Sequence, residues 1–156
     1  MIPNGSEVKD LSSGISGIVI NRVTTLAGMI RYGVQLQKSD GMADAYEIDE
    51  ALLEVISPGI SHRAIPCDPW PDLVVGTELE DKVTGFKGIA INKIEMLAGC
   101  VLFTLQPHGV DKEGKLKTTE IFNAVRLQPT AKPKKVAVKR TTTGGPTTLQ
   151  SRKGNY

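Results

Sequence analysis

The stretch Asp-Lys-Val-Thr-Gly-Phe-Lys-Gly-Ile-Ala-Ile-Asn-Lys-Ile at residues 81–94 repeats a pattern found near the start of the chain. Residues 10–23 read Asp-Leu-Ser-Ser-Gly-Ile-Ser-Gly-Ile-Val-Ile-Asn-Arg-Val, the same pattern 71 positions earlier. At this offset, ten of the 27 positions from 10 to 36 are identical. Self-similarity at a fixed spacing is the sequence signature of a repeated structural unit. The chain therefore contains two copies of one small unit.

Each copy is predicted to form five short strands separated by glycine-containing turns. Short apolar runs, and polar–apolar alternation such as that after Lys87, are typical of strands. The predicted strands cover residues 7–11, 15–23, 29–37, 46–48 and 52–56 in the first copy, and 79–83, 87–94, 100–106, 117–122 and 125–128 in the second. A single helical turn at 48–53 is one way to join the last two strands of the first copy. The similarity resumes after a two-residue shift, with Glu47 matched to Glu120.

The fold class predicted is all-β, with two tandem small SH3-like β-barrel domains and an extended basic C-terminal arm. Another type of five-stranded β unit is the alternative. The expected division is residues 1–57 for the first barrel, 58–76 for a proline-rich linker, 77–130 for the second barrel and 131–156 for the arm. Paired glycines at 14 and 85, and at 17 and 88, flank each second strand, where we expect a positive φ or a bulge.

The linker and the arm contain the candidate contact residues. Trp70 lies between two prolines, and we expect it to pack in the cleft between the barrels, with ligand stacking as the alternative. Residues 1–130 have a net charge of −5, whereas residues 131–156 have +7 and no acidic residue. Such asymmetry is typical of an interaction tail. Its basic residues are Lys132, Lys134, Lys135, Lys139, Arg140, Arg152 and Lys153.

The sequence contains no recognisable catalytic or metal-binding pattern. Cys67 and Cys100 have neither the number nor the spacing of a zinc site. The acidic residues between positions 40 and 54 lack the order of a calcium loop and are interpreted as a solvated face. No apolar run approaches membrane-spanning length, and residues 1–5 lack the features of a signal peptide. We therefore expect a non-enzymatic protein made in the cytoplasm, with no cofactor and no membrane partner.

One segment resembles a known group of proteins. Asp-Lys-Val-Thr-Gly-Phe-Lys-Gly at 81–88, Leu-Ala-Gly-Cys at 97–100 and Gln-Pro at 106–107 are similar to a pattern in small virion-associated proteins of tailed bacteriophages. The similarity covers about residues 79–128, and the first copy is a degenerate version in which Ile15 replaces Phe86 and Met29 replaces Cys100. The resemblance implies a structural part of a virus particle, located in the virion and assembled in the host cytoplasm.

The predicted function is thus a structural component of a tailed-phage virion, either a capsid decoration or a neck or tail adaptor. Its partners would be other virion proteins, contacted in multiple copies within a symmetric assembly through the barrels, Trp70 and the basic arm. The alternative is a nucleic-acid-binding tandem barrel, since a basic segment gains affinity for phosphates through counterion release. The acidic body and the scarcity of aromatic residues make that alternative less favoured. A host-type regulatory adaptor is a weaker option.

Overall fold

The computed structural model describes residues 1–36, 44–60 and 73–130. Trp70 and the seven basic residues of the predicted arm lie outside these described residues. Within them, all ten strands belong to one antiparallel sheet, and the helical elements are two 3₁₀ turns. The all-β prediction is confirmed. The first repeat consists of β1 (Glu7–Asp10), β2 (Ser16–Thr25), β3 (Ile30–Leu36), β4 (Ala45–Asp49), a 3₁₀ turn (Glu50–Leu52) and β5 (Leu53–Ser57).

The second repeat has the same elements in the same order. They are β6 (Glu78–Asp81), β7 (Lys87–Met96), β8 (Val101–Gln106), β9 (Glu120–Asn123), a 3₁₀ turn (Ala124–Arg126) and β10 (Leu127–Pro129). The hydrogen-bonded strand order is β5-β1-β2-β3-β4 in the first repeat and β10-β6-β7-β8-β9 in the second. The helical turn considered for the first copy is present as a 3₁₀ turn, and the second copy has its counterpart.

Neither repeat closes its sheet into a barrel. Among the described residues, no strand pairing joins β4 to β5 or β9 to β10. The physical reason is local, because a 3₁₀ turn connects these neighbouring strands where a hairpin would pair them. The predicted tandem SH3-like barrels are therefore corrected to two five-stranded units of one open sheet, as far as the described residues extend.

The two repeats are joined by one strand pairing. The second half of β2 pairs antiparallel with β7 over five residue pairs, and Val23 lies opposite Ile94 at its centre. These two residues are equivalent at the offset of 71. Two backbone hydrogen bonds of 2.7 Å are equivalent in the same way: Leu26 N to Ile91 O, and Leu97 N to Ile20 O. The repeats are therefore related by a pseudo-two-fold axis through the middle of the β2–β7 pairing.

Each repeat buries its own apolar cluster, and the two clusters occupy equivalent positions. The largest fully buried side chains are Tyr32 in the first repeat and Phe103 in the second. The Tyr32 hydroxyl accepts a hydrogen bond of 2.9 Å from the backbone N–H of Ile2, a residue whose equivalent is Leu73. Both Ile2 and Leu73 are buried in their clusters, so the repeat extends upstream of β1 and β6.

The strand register corrects the alignment of the last two strands. Tyr32 pairs with Ile48, and its equivalent Phe103 pairs with Phe122. Ile48 and Phe122 are 74 positions apart in the sequence, one position more than Glu47 and Glu120, which the sequence comparison had matched. The two 3₁₀ turns confirm this register, because Asp49 and Asn123 precede them at equivalent positions. Leu52 in the first repeat is therefore the counterpart of Arg126 in the second.

Two of the repeated glycines meet different physical demands, which gives a testable contrast. Gly85 has φ of +73° with open space around it, whereas a Cβ on Gly88 would lie 2.7 Å from the carbonyl oxygen of Gln106. We expect Gly85→Ala to cost about 1 kcal/mol, the penalty of a left-handed conformation. Gly88→Ala should cost more, because two paired strands must separate. Urea denaturation of both variants checks this, and equal midpoints would contradict it.

Candidate binding groove

The loop between the first two strands is built around an aspartate in both repeats. The backbone N–H of Gly14 donates to the Asp10 carbonyl at 2.7 Å, and Gly85 donates to the Asp81 carbonyl at 2.8 Å. Both aspartates end the first strand of their repeat with their side chains turned inward, and they are 9% and 0% exposed. Each repeat therefore holds one buried carboxylate at the same position, and each carboxylate needs hydrogen-bond partners.

In the second repeat, the guanidinium of Arg126 forms an ion pair with the buried carboxylate of Asp81. Arg126 donates from Nε to Oδ1 of Asp81 at 2.9 Å and from Nη2 to Oδ2 at 2.7 Å, a bidentate pair. The Arg126 guanidinium also lies 5.5 Å from the centroid of the Phe122 ring. Phe122 in turn packs on Phe86, with ring centroids 5.2 Å apart. Arg126 and the two rings together close the surface beside Asp81.

The bidentate pair shifts the titration of both partners. Hydrogen bonds from Arg126, reinforced by Thr84, hold the pKa of Asp81 well below its usual value of 3.8. The same contact raises the pKa of Arg126. Asp81 therefore remains ionised throughout the physiological range, as a bidentate carboxylate–guanidinium pair requires.

In the first repeat smaller side chains replace all three closing residues. Ile15 stands in place of Phe86, Ile48 in place of Phe122 and Leu52 in place of Arg126. An open groove of about 560 Å³ lies in this region. Ile15 is 48% exposed and Leu52 is 42% exposed, which is high for apolar residues that face a concave surface. The groove follows from these three replacements.

The groove combines an apolar floor with an acidic rim. Its apolar lining residues are Ile15, Leu36, Tyr46, Ile48 and Leu52. Its charged lining residues, among those the structure describes, are Asp10, Glu47, Asp49 and Arg31, which makes three carboxylates against one guanidinium. Arg31 already pairs with Asp49 at 2.8 Å. The remaining charge is negative, so the groove suits a ligand with both apolar and cationic groups.

Asp10 keeps its charge through serine hydroxyls. Oγ of Ser13 donates to it at 2.6 Å, and Ser12 donates from both Oγ and its backbone N–H. These bonds, with that of Ser13 foremost, lower the pKa of Asp10. Within the described residues no Lys or Arg forms an ion pair with Asp10. The groove thus contains a buried, ionised carboxylate held by neutral donors.

The groove was not among the predicted sites. Trp70 and the seven basic arm residues, which were the predicted contact residues, lie outside the described ranges. The acidic residues interpreted as a solvated face include two that line the groove, Glu47 and Asp49. One sequence signal was available, the replacement of Phe86 by Ile15, but the shift used for the last strands matched Arg126 with Leu53 and concealed the loss of the cation.

No group of three or more His, Cys, Asp or Glu residues in the described part of the chain is arranged to hold a metal ion. No helix in the described ranges is long and apolar enough to cross a membrane. Comparisons of the chain with protein-family models, with curated proteins and with solved structures gave no match.

Proposed function

We propose that the protein is a non-enzymatic structural component of a tailed-phage virion, a capsid decoration or a neck or tail adaptor that docks on other virion proteins. The observation that carries the proposal is the open groove of the first repeat, with its apolar floor and acidic rim. Such a groove suits the binding of a polypeptide segment, since pockets for recognition combine apolar lining with a few placed polar groups.

We further propose that each repeat is a member of the SH3-like class in an open form. The strand order β5-β1-β2-β3-β4 and the 3₁₀ turn before the last strand support this assignment. The β2–β7 pairing joins the two units into one sheet. A body of this kind presents several surfaces in a defined relative orientation, which is what an adaptor between neighbouring subunits needs.

Quantitative mass spectrometry of purified, nuclease-treated particles tests the virion role. We expect a fixed copy number per particle, because a structural part occupies symmetry-related positions. A parallel titration of the recombinant protein with single- and double-stranded DNA across a salt series tests the alternative. Absence from particles, combined with DNA binding that weakens steeply as salt rises, would overturn the proposal in favour of nucleic-acid binding.

Removal of residues 131–156 tests the contribution of the basic arm. We expect the truncated protein to fold, since both apolar clusters lie within residues 1–130. We also expect it to be depleted from assembled particles, because a tethered arm adds a second contact at high effective concentration. Occupancy is measured by mass spectrometry against the full chain. Normal occupancy of the truncated protein would contradict a partner-binding role for the arm.

A further inference from the structure

In the described part of the chain, no lysine or arginine pairs with Asp10 in the groove as Arg126 pairs with Asp81 in the second repeat. Arg126 satisfies Asp81 from within its own repeat, with bonds of 2.9 and 2.7 Å. Leu52 occupies the position equivalent to Arg126, and its side chain is uncharged. Asp10 is only 9% exposed, but it lines the groove together with two further carboxylates, Glu47 and Asp49.

We propose that the basic segment 132–140 of the same chain docks in this groove. A lysine or arginine of the segment binds Asp10 and the acidic rim, and the valines beside it lie on the apolar floor. The segment reads Lys-Pro-Lys-Lys-Val-Ala-Val-Lys-Arg, with five cationic residues and no acidic one. It includes Ala-Val-Lys at 137–139, which parallels Ala124-Val125-Arg126 in the second repeat.

Charge and position in the chain both favour this occupant. The described lining of the groove has three carboxylates against one guanidinium, and the segment supplies the opposite charge at short range, where the attraction is strongest. The described chain ends at Thr130, whose hydroxyl donates to Glu78 at 3.0 Å beside β10. The segment begins two residues later, and the ten residues from 131 to 140 span up to about 33 Å when extended.

Covalent attachment favours the same chain over a second copy. A covalent tether that spans two sites gives an effective concentration in the millimolar range, well above the micromolar concentration of a dilute protein sample. The lowered pKa of Asp10 supports the docking, since the carboxylate remains charged at neutral pH. The inference concerns the free protein and does not depend on the virion role.

Methyl NMR of the full chain tests the docking. Neutralising the segment with Lys135→Gln, Lys139→Gln and Arg140→Gln should shift the signals of Ile15 and Ile48, which line the groove. The signals of Ile89 and Ile121 in the second repeat should stay in place. The matched control changes the same amount of charge at three exposed lysines of the β8–β9 connection: Lys112, Lys115 and Lys117, each to Gln. In 1 M salt the parent signals should move to those of the neutralised variant, because salt screens the attraction.

A second variant supplies a guanidinium to the groove from within the first repeat. Leu52→Arg places a guanidinium where Arg126 stands in the second repeat, so it should satisfy Asp10 and release the segment. Zero-length carbodiimide crosslinking joins carboxylates to lysines that contact them. We expect crosslinks from Glu47 or Asp49 to Lys135 or Lys139 in the parent protein, with a severalfold lower yield in the Leu52→Arg variant.

Three results would overturn the proposal. The first is unchanged Ile15 and Ile48 signals after neutralisation of the segment, a result that does not depend on whether Leu52→Arg folds. The second is an equal shift in the control lysine variant, which would show a general charge effect. The third is a shift that grows with protein concentration, which would assign the segment to a second copy.

Discussion

Replacement of Arg126 by Leu should lower the melting temperature by on the order of 10 °C, measured by circular dichroism at pH 7. The variant leaves Asp81, which is 0% exposed, without the guanidinium that binds both of its oxygens. A buried ionised carboxylate that loses its guanidinium partner costs far more stability than a surface ion pair that breaks. The change also removes the guanidinium from the Phe122 ring.

Two matched variants separate this effect from a general loss of charge. Arg31 pairs with Asp49 at 2.8 Å, but both side chains are largely exposed. Arg31→Leu should therefore have little effect, as is usual for surface ion pairs. The hydroxyl of Ser12 donates a hydrogen bond to Asp10. The residue equivalent to Ser12 in the second repeat is Val83. Adding Val83→Ser to the Arg126→Leu variant should restore part of the loss. Equal melting temperatures for Arg126→Leu and Arg31→Leu would contradict the proposed role of the buried pair.

The Arg126→Leu effect should depend on pH in a defined direction. The pKa of Asp81 is lower in the folded protein than its usual 3.8. As the pH falls, this carboxylate is therefore protonated in the unfolded state before it is protonated in the folded state. The stabilisation is then fully present above about pH 5 and is lost progressively as the pH drops below 4. The difference in melting temperature between the parent and Arg126→Leu should therefore narrow from pH 6 to pH 3. A constant difference would show that Asp81 is not the group responsible.

Replacement of Phe103 by Ala should lower the free energy of unfolding by about 3–5 kcal/mol, the usual cost of deleting a fully buried aromatic ring. Phe103 is 1% exposed and is the largest fully buried side chain of the apolar cluster in the second repeat. Urea denaturation followed by circular dichroism measures the loss. Because β2 and β7 pair over five residues, we expect one shifted transition for both repeats. Two separate transitions would show that the repeats unfold independently.

An exposed leucine provides the control for the Phe103 variant. Leu116 is 75% exposed, so Leu116→Ala should change the free energy of unfolding by no more than about 0.5 kcal/mol. A loss comparable to that of Phe103→Ala would mean that the buried cluster does not account for the stability of the second repeat.

The sequence predicted the strands well because their signal is local. Apolar runs and the glycines that interrupt them gave ten strands, and the structure has ten in the described ranges, with boundaries that differ by a few residues. The repeat was equally accessible, since equivalent core positions such as Tyr32 and Phe103 require similar side chains. Closure of each unit into a barrel was predicted and did not occur, because pairing between edge strands depends on the geometry of the intervening 3₁₀ turn.

The groove could not be predicted from the sequence alone. Its prediction required the correct match of Leu52 with Arg126, and a one-residue error in the alignment after the variable loop concealed this match. Strand register resolves it, because backbone hydrogen bonds place Ile48 opposite Tyr32 and Phe122 opposite Phe103. Residues far apart in the chain, such as Asp81 and Arg126, form one buried pair only when the strands bring them together.

The sequence by itself determined that this protein is all-β, that it contains one unit twice, and that an acidic body precedes a basic segment. These properties depend on composition and on short-range sequence patterns, which can be recognised without knowing which residues are in contact. Only the tertiary structure decided that the units share one open sheet through β2 and β7, and that one repeat closes over its aspartate while the other leaves a groove. Both depend on long-range pairing, where a shift of one residue changes which side chains meet.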